Sequence, residues 1–389
     1  MSISFWSDKS KDIKKRQFDV IIVGAGITGL STAYWMNKED SSLKIAIIEK
    51  GTIGAGATGR NAGFITCGSV EHFNRMVTKH GETQALEIWR FAEENMSLLK
   101  SEIINGSEKD LEFEQRGAYS LAAQDNEFTE LKSVAKLMES FKIPVEVCDS
   151  KQIIKRLGAE HFVGGIRYCN DGAINPIKLI ERISEKINCT LLEYTEAFSV
   201  EEASSGNRLV KTNKGDFEAP IIIYCTNGYS AALNSYFKDK IYPTRGQIMV
   251  TEPVDVFMDG PCYANFYLDY FRQLANGSLL IGGFRQIEKE TEVGYSDHTT
   301  EAIQAALHDF VLKHLPKFKD TKITHRWAGV MGFSSDGEPM MGSLPDDNQV
   351  FFCGGFTGHG IGLAFRSAKS LVDMVFGRPI PHWLSAKRF

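Results

Sequence analysis

Three glycines in this sequence have the spacing of a turn that binds a ligand through its backbone. Gly24, Gly26 and Gly29 follow the apolar run DVIIVGAG (19–26) and precede a segment with helical spacing. In such a turn the first glycine permits a tight bend, the second lets a pyrophosphate approach, and the third lets the helix pack against the strand. The helix start offers unpaired N–H groups and a positive dipole end to the phosphates. The predicted residues of this dinucleotide site are Gly24, Ala25, Gly26, Ile27, Thr28 and Gly29.

A carboxylate follows the next apolar run, LKIAIIEK (43–50), which has the pattern of a second buried strand. Glu49 lies 20 residues after Gly29. In a βαβ dinucleotide site, an acidic residue at about this distance accepts hydrogen bonds from the adenosine ribose. We therefore predict that Glu49 and its neighbour Lys50 belong to the cofactor site.

A second glycine-rich loop indicates which dinucleotide is bound. Residues 52–64 (TIGAGATGRNAGF) have no apolar periodicity and carry an arginine and an asparagine. Backbone amides and polar side chains in one loop suit a second approach to a diphosphate or to an isoalloxazine edge. Because an NAD domain needs no such loop here, the loop favours FAD. Its predicted cofactor residues are Thr58, Gly59, Arg60, Asn61, Ala62 and Gly63.

A third glycine-rich loop, GGFTGHGIG, precedes a long helical pattern that ends near residue 376. Two-electron reduction of a flavin builds negative charge at N1–C2=O, and a helix start stabilises such charge without reorganisation. His359 in this loop either hydrogen-bonds the flavin, which would make it a catalytic residue, or holds the loop in shape. The predicted cofactor residues of this loop are Gly355, Gly358, Gly360 and Ile361.

The elements that position these loops form an α/β pattern. The first strand, helix and second strand require a parallel sheet with a right-handed crossover. Alternating strands over about 240–295 indicate an antiparallel sheet, and Pro176 suits the first turn of a helix. Helices are also predicted over about 71–104, 126–141 and 299–315. The runs TLLEYTEAFSVEEA, NRLVKTNKGDFEAP and IIIYCTNG read as a three-strand meander.

The composition excludes several classes of protein. A chain of 389 residues is expected to form two domains. Its net charge of -5 argues against nucleic-acid binding, and no apolar run approaches the length of a membrane span. The seven cysteines are scattered, without the spacing of a metal or redox site, as in a protein of the reducing cytoplasm. We expect no metal, and a cytoplasmic location.

Several motifs in order resemble the D-amino-acid oxidase superfamily of flavoproteins. They are DVIIVGAGITGL, GATGRNAGF, YCTNGYS and the C-terminal stretch from WAGVMGF to GGFTGHGIGLA. The resemblance implies FAD bound across a discontinuous Rossmann-like domain of α/β class (18–85, 150–228 and 325–389). It also implies an inserted, mainly antiparallel β-sheet substrate domain (86–149 and 229–324). The motifs further imply cofactor contacts from Ala197, through its backbone to adenine, and from Thr226, Asn227 and Gly228.

This sequence departs from the family pattern at two positions. In the segment where amino-acid oxidases of this superfamily hold the substrate carboxylate with an arginine, it has Gly329-Val330-Met331. Arg272 and Arg245 are candidate replacements, and each is equally able to be a packing arginine. Sarcosine oxidases also use a lysine near the flavin to activate oxygen, and Leu280 stands in its place. Because that lysine is missing, we keep two candidates for the electron acceptor, which are O2 and another molecule.

Aromatic residues surround Arg272 in the sequence. Tyr267, Tyr270 and Phe271 either form a wall that receives a cationic amine or belong to the core of a sheet. We take His359, Arg272 and Tyr270 as the candidate catalytic residues. The predicted activity is oxidation of a C–N bond in an amine or N-substituted amino acid, by hydride transfer to the flavin followed by hydrolysis of the imine. The alternatives are a flavin dehydrogenase of a hydroxy acid or polyol phosphate, and a non-catalytic FAD-containing assembly factor.

Overall fold

A computed structural model describes residues 16–265 and 269–389 of the chain. Tyr267 lies outside the described residues. The chain divides into two compact units. Unit 1 comprises the described part of Met1–Gly59 together with Ile177–Thr244 and Met331–Phe389, and unit 2 comprises Arg60–Pro176 and Arg245–Val330.

The strands, in chain order, are β1 Arg16–Gln17, β2 Val20–Val23, β3 Ile45–Ile48, β4 Phe64–Ile65, β5 Ala118–Ala122, β6 Val145–Asp149, β7 Gly164–Tyr168, β8 Gly172–Ala173, β9 Thr190–Leu192, β10 Ala197–Glu202, β11 Arg208–Thr212, β12 Gly215–Ala219, β13 Ile221–Tyr224, β14 Ile241–Pro253, β15 Cys262–Ala264, β16 Asp269–Gln273, β17 Ser278–Gly282, β18 Ile323–Ser334, β19 Met340–Leu344 and β20 Asp347–Gly354. The α-helices are α1 Ile27–Glu39, α2 Val70–Leu98, α3 Asp125–Ser140, α4 Ser150–Leu157, α5 Pro176–Glu185, α6 Ser230–Leu233, α7 Glu301–His314 and α8 Gly360–Val375. The segment Leu99–Ile104 continues α2 as a π-helix.

Unit 1 is built on the sheet with the order β19-β20-β13-β2-β3-β9, which we call the parallel sheet. Strands β20, β13, β2, β3 and β9 run parallel, and β19 is antiparallel to β20. Every residue of β2 and β3 is buried, as the unbroken apolar runs predict for strands covered on both faces. Helices α1 and α8 pack together, where Trp35 donates a 3.0 Å hydrogen bond to the carbonyl of Phe365.

A second sheet of unit 1 has the order β1-β12-β11-β10 and corrects the predicted meander. Strands β10, β11 and β12 form the antiparallel part, with Thr212 paired to Gly215 at the turn between β11 and β12. The run IIIYCTNG was wrongly assigned to it, because β13 instead pairs with β2 and β20 in the parallel sheet. The run TLLEYTEAFSVEEA is likewise two strands, since β9 pairs with β3 and only β10 enters the meander.

Unit 2 contains most of the sheet with the order β18-β14-β17-β16-β15-β5-β7-β6, which we call the antiparallel sheet. The pairs β14–β17, β17–β16, β16–β15, β5–β7 and β7–β6 are antiparallel, and β15 and β5 are parallel. Helix α7 covers one face, where Leu307 and Phe310 join a core that contains Phe271. The opposite face carries Ile248, Val250 and Leu280. The prediction of a mainly antiparallel inserted sheet is therefore confirmed.

The predicted helices at residues 126–141, 176 and 299–315 are present as α3, α5 and α7. The predicted stretch 71–104 corresponds to α2 and its π continuation, with a break at Gly81, whose φ is 80°. Among the described residues, none of the helices is long and apolar enough to span a membrane.

Candidate functional site

The turn between β2 and α1 requires glycine at each predicted position. Gly24 has φ of 108°, and a Cβ on it would lie 2.7 Å from the carbonyl oxygen of Cys225. A Cβ on Gly26 would lie 2.9 Å from Oγ1 of Thr58, and one on Gly29 would lie 1.9 Å from the carbonyl oxygen of Gly24. The backbone is therefore bare and close-packed, which is what a pyrophosphate-binding turn needs.

The start of α1 is left open for a ligand. Its N-cap is Gly26, which supplies no side-chain cap to the first-turn N–H groups. Thr58 accepts a 3.0 Å hydrogen bond from the Ile27 N–H through Oγ1, so the second predicted loop reaches the first. Uncapped N–H groups at a helix start bind anions, because they carry the positive end of the dipole.

Glu49 lies directly after β3, beside the glycine turn. Its Oε2 accepts a 2.8 Å hydrogen bond from the Ala25 N–H, and its Oε1 accepts one of 2.8 Å from Gly51. An ionised carboxylate has about four acceptor positions, so two remain for ribose hydroxyls. The neighbouring Lys50 forms a 2.9 Å ion pair with Glu196.

The segment before Ala197 is tied to the same strand end. The N–H groups of Tyr194 and Thr195 donate to the carbonyl oxygens of Gly51 and Glu49, at 2.8 and 2.7 Å. Ala197, which begins β10, follows two residues later. Ala197, the predicted adenine contact, thus lies on a segment that is held in place by hydrogen bonds to the backbone of Glu49, the candidate ribose ligand, and of Gly51.

The turn Thr226-Asn227-Gly228 follows β13 and packs on the glycine turn and on Met331. Gly24 approaches Cys225, and a Cβ on Gly228 would lie 2.9 Å from the carbonyl oxygen of Met331. Asn227, with φ of 46°, accepts a 2.9 Å hydrogen bond from the Gly355 N–H through Oδ1. The turn therefore contacts two of the predicted loops of unit 1, the glycine turn and the third glycine-rich loop.

The third glycine loop ends at α8, whose N-cap is His359 and has no side-chain cap bond. Thr357, Gly358 and Gly355 all have φ between 48° and 86°, so the loop is tightly curled before Gly360 and Ile361 begin the helix. Nδ1 of His359 lies 3.0 Å from the carbonyl oxygen of Thr357. This contact supports the loop, and the Met331 sulfur lies 4.0 Å from the place of a Gly358 Cβ.

The remaining residues of the second loop belong to unit 2. Arg60 donates a 2.8 Å hydrogen bond to the carbonyl of Ala328, and its own carbonyl accepts one of 3.0 Å from Trp327. Gly63 donates to Oδ1 of Asn61 at 2.7 Å. Ala62 is buried in an apolar cluster with Leu280. The loop is thus held by its own side chains as well as by the sheet.

Arg272 is a buried cation without an acidic partner. It is 8% exposed, and its Nη2 donates a 3.0 Å hydrogen bond to the carbonyl of Ile174. Its Nε is buried with no hydrogen-bond partner, and no residue in the described ranges forms a salt bridge with it. Burial lowers the pKa of Arg272 to about 10, against a smaller Coulomb contribution from Glu112 and Glu114. The site has unused capacity for an anion.

Arg245, the other candidate, already has a partner. Its Nε and Nη2 donate to the two oxygens of Glu292, at 3.0 and 2.6 Å. Glu292 is 1% exposed, and Gln247 donates a further 2.9 Å hydrogen bond to it. Because Nε and Nη2 are both hydrogen-bonded to Glu292, Arg245 belongs to an internal ion pair of the fold and is not a free anion site.

Tyr270 and Arg272 share one face of β16, while Phe271 points into the core on the other. Tyr263 lies directly opposite Tyr270 on β15, and Leu280 lies opposite Arg272 on β17. We call Tyr263, Tyr270, Arg272 and Leu280 the Arg272 face. The ring of Phe64 meets the rings of Tyr263 and Tyr270 edge-on, at 5.3 and 5.9 Å.

The structure also brings forward a buried acid that the sequence did not indicate. Asp171 is 1% exposed, and its Oδ2 is buried without a partner. Burial raises the pKa of this carboxyl well above its usual value. In the sequence it stands in NDGA, which has the composition of an ordinary turn, so no local signal marked it.

Together these features fit a dinucleotide with an acceptor ring. Unit 1 offers two helix starts whose N-cap residues make no side-chain cap bond, a turn that excludes side chains, and a carboxylate that accepts backbone N–H groups. Within the described ranges, no cluster of histidine, cysteine and acidic residues is arranged to hold a metal ion.

Comparison with known proteins agrees with this geometry. Residues 19–374 match the model of the FAD dependent oxidoreductase family. The probable oxidoreductase OrdL of Haemophilus influenzae is 25% identical, with 92% of this chain and 83% of the relative covered. Glycine oxidase of Geobacillus kaustophilus is 25% identical, with 92% and 93% covered. Gamma-glutamylputrescine oxidoreductase of Escherichia coli is 22% identical, with 92% and 84% covered.

Solved structures show the same fold. The crystal structure of glycine oxidase from Geobacillus kaustophilus superposes with a TM-score of 0.81 at 20% identity, covering 94% of this chain and 96% of that one. L-proline dehydrogenase from P. horikoshii gives a TM-score of 0.79 at 21% identity, covering 94% and 95%. With the family match over most of its length, this chain belongs to the FAD dependent oxidoreductase family, and FAD is its cofactor.

Proposed function

We propose that this protein oxidises a C–N bond of an amine substrate that also carries a carboxylate, such as an amino acid or N-substituted amino acid. Bound FAD supplies the two-electron acceptor, which takes a hydride at N5 from the carbon next to nitrogen. The resulting imine hydrolyses in water. Relatives named as glycine oxidase and sarcosine oxidase subunit beta support this class of substrate.

The observation that carries this proposal is the unpaired charge of Arg272. A buried cation without a counter-ion is costly by several kcal/mol, so an arriving carboxylate gains both Coulomb attraction and charge-assisted hydrogen bonds. Among the described residues, Nε has no hydrogen-bond partner, and Nη2 donates to the carbonyl of Ile174. Arg272 thus binds the acid group and fixes one end of the substrate.

The aromatic part of the Arg272 face receives the rest of the substrate. Tyr270 and Tyr263 lie on the same sheet face as Arg272, and Phe64 packs against both rings. Aromatic faces attract a cationic amine, and they exclude water from the reacting carbon. Orientation of this kind contributes much of the rate in a hydride transfer.

Residues of unit 1 would hold the cofactor. We assign Gly24–Gly29 and Thr58 to the pyrophosphate, Glu49 to the ribose, and the turn 226–228 to the underside of the cofactor. The start of α8 stabilises negative charge on the reduced ring. His359 keeps that start curled through its contact with Thr357.

The proposal is tested by anaerobic titration of the FAD-bound protein with matched substrate pairs. Each pair consists of an amino acid and its decarboxylated amine, for example proline with pyrrolidine, or N-methylglycine with dimethylamine. We expect the visible flavin absorption to bleach with the acid member of at least one pair, and far more slowly with the amine member.

Hydroxy acids are included in the same panel as a control. Bleaching by hydroxy acids alone would contradict C–N oxidation and would favour the dehydrogenase alternative. If dithionite bleaches the flavin but no small molecule in the panel does, the protein is a non-catalytic flavoprotein and the proposal fails.

A further inference from the structure

A set of buried proton carriers leads from the Arg272 face to the surface of unit 2. Asp171 precedes β8, and the antiparallel pairing of β8 with β4 sets Thr66 opposite Asp171. The Cys67 N–H donates a 3.0 Å hydrogen bond to Oδ1 of Asp171. The Cys67 side chain also lies close enough to this carboxyl to lower its pKa. Asp171 and Cys67 are therefore in direct contact.

The outward half of the set is a chain of aligned donors. The Cys67 thiol lies 3.9 Å from the Tyr168 hydroxyl, to which it donates. The Tyr168 hydroxyl in turn donates a 2.6 Å hydrogen bond to Oε1 of Glu93. Glu93 is ion-paired with Arg90, which is 44% exposed at its side chain. The chain thus ends on a carboxylate that communicates with solvent.

The inward half of the set approaches the aromatic residues. The Tyr263 hydroxyl lies 2.6 Å from Oγ1 of Thr66. Tyr263 belongs to the Arg272 face, and Thr66 adjoins that face through this contact. Thr66 and Asp171 are the next residues in register beyond the β4–β8 pairs, and among the described residues Oδ2 of Asp171 is buried with no hydrogen-bond partner. A hydroxyl or one ordered water at Oδ2 would link it to Thr66.

The charges around Asp171 favour a neutral acid that passes protons. Burial raises the pKa values of Asp171 and of Cys67, and the Glu93 charge raises both further. The titratable groups around Asp171 are the Cys67 thiol, the hydroxyls of Tyr168 and Tyr263, and Glu93. No cation is among the causes of its pKa shift. A neutral acid in a hydrogen-bond chain is able to accept and donate in one step.

We propose that Tyr263 and Asp171 receive the proton that the substrate ammonium loses before oxidation, and that Glu93 releases it to solvent. This inference rests on the proposed function, because hydride transfer requires an unprotonated amine. In the step the N–H bond of the ammonium breaks and an O–H bond forms on Tyr263. Each later carrier gains one proton and gives up its own, as an O–H bond at Asp171 and Tyr168 and as an S–H bond at Cys67, until an O–H bond forms on Glu93. The net change is one proton moved from nitrogen to Glu93, while the C–H and C–N bonds stay intact and no electron moves.

The test uses two variants of the chain and one matched control in the FAD-bound protein. Asp171→Asn keeps an acceptor for the Cys67 N–H but removes the mobile proton, and Tyr168→Phe cuts the link to Glu93. The control is Tyr119→Phe, which also removes a buried tyrosine hydroxyl from a carboxylate, Asp259, outside the chain. Rates of anaerobic flavin reduction are measured at pH 7 and above the pKa of the substrate amine.

We expect both variants to slow reduction by about 100-fold at pH 7, within the usual contribution of positioned proton transfer. The rate should recover at high pH, where the amine arrives neutral, and Tyr119→Phe should match the wild type at both pH values. An equal loss at both pH values, or an equal loss in the control, would overturn the proposal in favour of a structural role.

A second measurement needs no substrate, so it separates this inference from the proposed function. Infrared spectra of the FAD-bound protein at pH 7 should contain the C=O band of a buried protonated carboxyl that disappears in Asp171→Asn. The band should shift in Tyr263→Phe and stay in place in Tyr119→Phe. Absence of the band, or a position that does not change in Tyr263→Phe, would overturn the proton path even if amine oxidation is found.

Discussion

Two arginines of the antiparallel sheet are buried to nearly the same degree and differ in their partners. Arg245 is 6% exposed and forks onto Glu292, whereas Arg272 is 8% exposed and donates only to the carbonyl of Ile174. The Arg245–Glu292 ion pair supports the fold, and its hydrogen-bond donors are already used within the pair, so it is a poor site for a ligand. A buried guanidinium with an unused Nε is costly to the fold, so its presence indicates a ligand that supplies the missing charge.

The largest expected effect is a loss of fold stability when the paired arginine, Arg245, is replaced. Arg245→Met leaves the Glu292 carboxylate buried with Gln247 as its remaining side-chain donor from the sheet. Breaking a buried pair from one side costs about 3–5 kcal/mol, and urea unfolding measures it as a lower free energy of unfolding. The double variant Arg245→Met/Glu292→Met should recover most of the loss. A loss below about 1 kcal/mol in the single variant would show that the two arginines do not differ as described.

Removal of the unpaired arginine should act on binding instead. Arg272→Met loses one hydrogen bond and also the cost of a buried cation, so the free energy of unfolding should change by less than about 1 kcal/mol. The affinity for a carboxylate ligand should fall by about 1.5–3 kcal/mol, the usual value of a hydrogen bond to a charged group. Calorimetry with acetate and with the substrate acid measures it, and Arg272→Lys should retain part of the affinity. Unchanged affinity would remove Arg272 from the substrate site.

Asp171 extends the comparison to a buried acid. Its pKa is raised in the folded state, so the folded chain keeps a proton that the unfolded chain releases above about pH 4. The wild type should therefore lose stability relative to Asp171→Asn as pH rises from about 4 to 7, by up to about 1.4 kcal/mol per pH unit. Urea unfolding of both proteins across this range measures the difference. A difference that does not vary with pH would show that Asp171 is ionised when folded.

The smallest effect is expected at an exposed arginine. Arg60 and Asp297 lie 3.5 Å apart, with side chains 37% and 55% exposed. Exposed pairs contribute about 0–1 kcal/mol, because water screens them and ordering two long side chains costs entropy. Asp297→Asn should change the unfolding free energy by less than about 0.5 kcal/mol, and added salt should reduce the change. A larger loss would show that the Arg60–Asp297 pair stabilises the fold, as the Arg245–Glu292 pair is expected to do.

The first βαβ unit and its glycine turn could be predicted from the sequence because their signals are local. Gly24, Gly26 and Gly29 follow from the backbone geometry of one turn, and the fully apolar runs of β2 and β3 indicate strands buried on both faces. Pro176 opens α5 for an equally local reason, since proline fits the first turn of a helix.

Strand membership and partners were not local properties and were harder to predict. The meander was misassigned because β9 and β13 find their partners, β3 and β2, more than a hundred residues away. Arg245 and Arg272 looked alike because the only difference, Glu292, is brought in by tertiary structure. Asp171 had no signal, since its burial arises from packing around a turn of ordinary composition.

The assignment of Arg272 to the substrate carboxylate is tested most directly by the rate of anaerobic flavin reduction, measured for two proteins with two substrates each. Wild type and Arg272→Met, both loaded with FAD, are mixed with an amino acid that bleaches the flavin and with its decarboxylated amine. We expect the substitution to lower the apparent second-order rate constant for the amino acid by about 10- to 100-fold, as the loss of a charged hydrogen bond implies, and to leave the constant for the amine nearly unchanged. An equal decrease for both compounds, or none for the amino acid, would contradict the assignment of Arg272 to the substrate carboxylate.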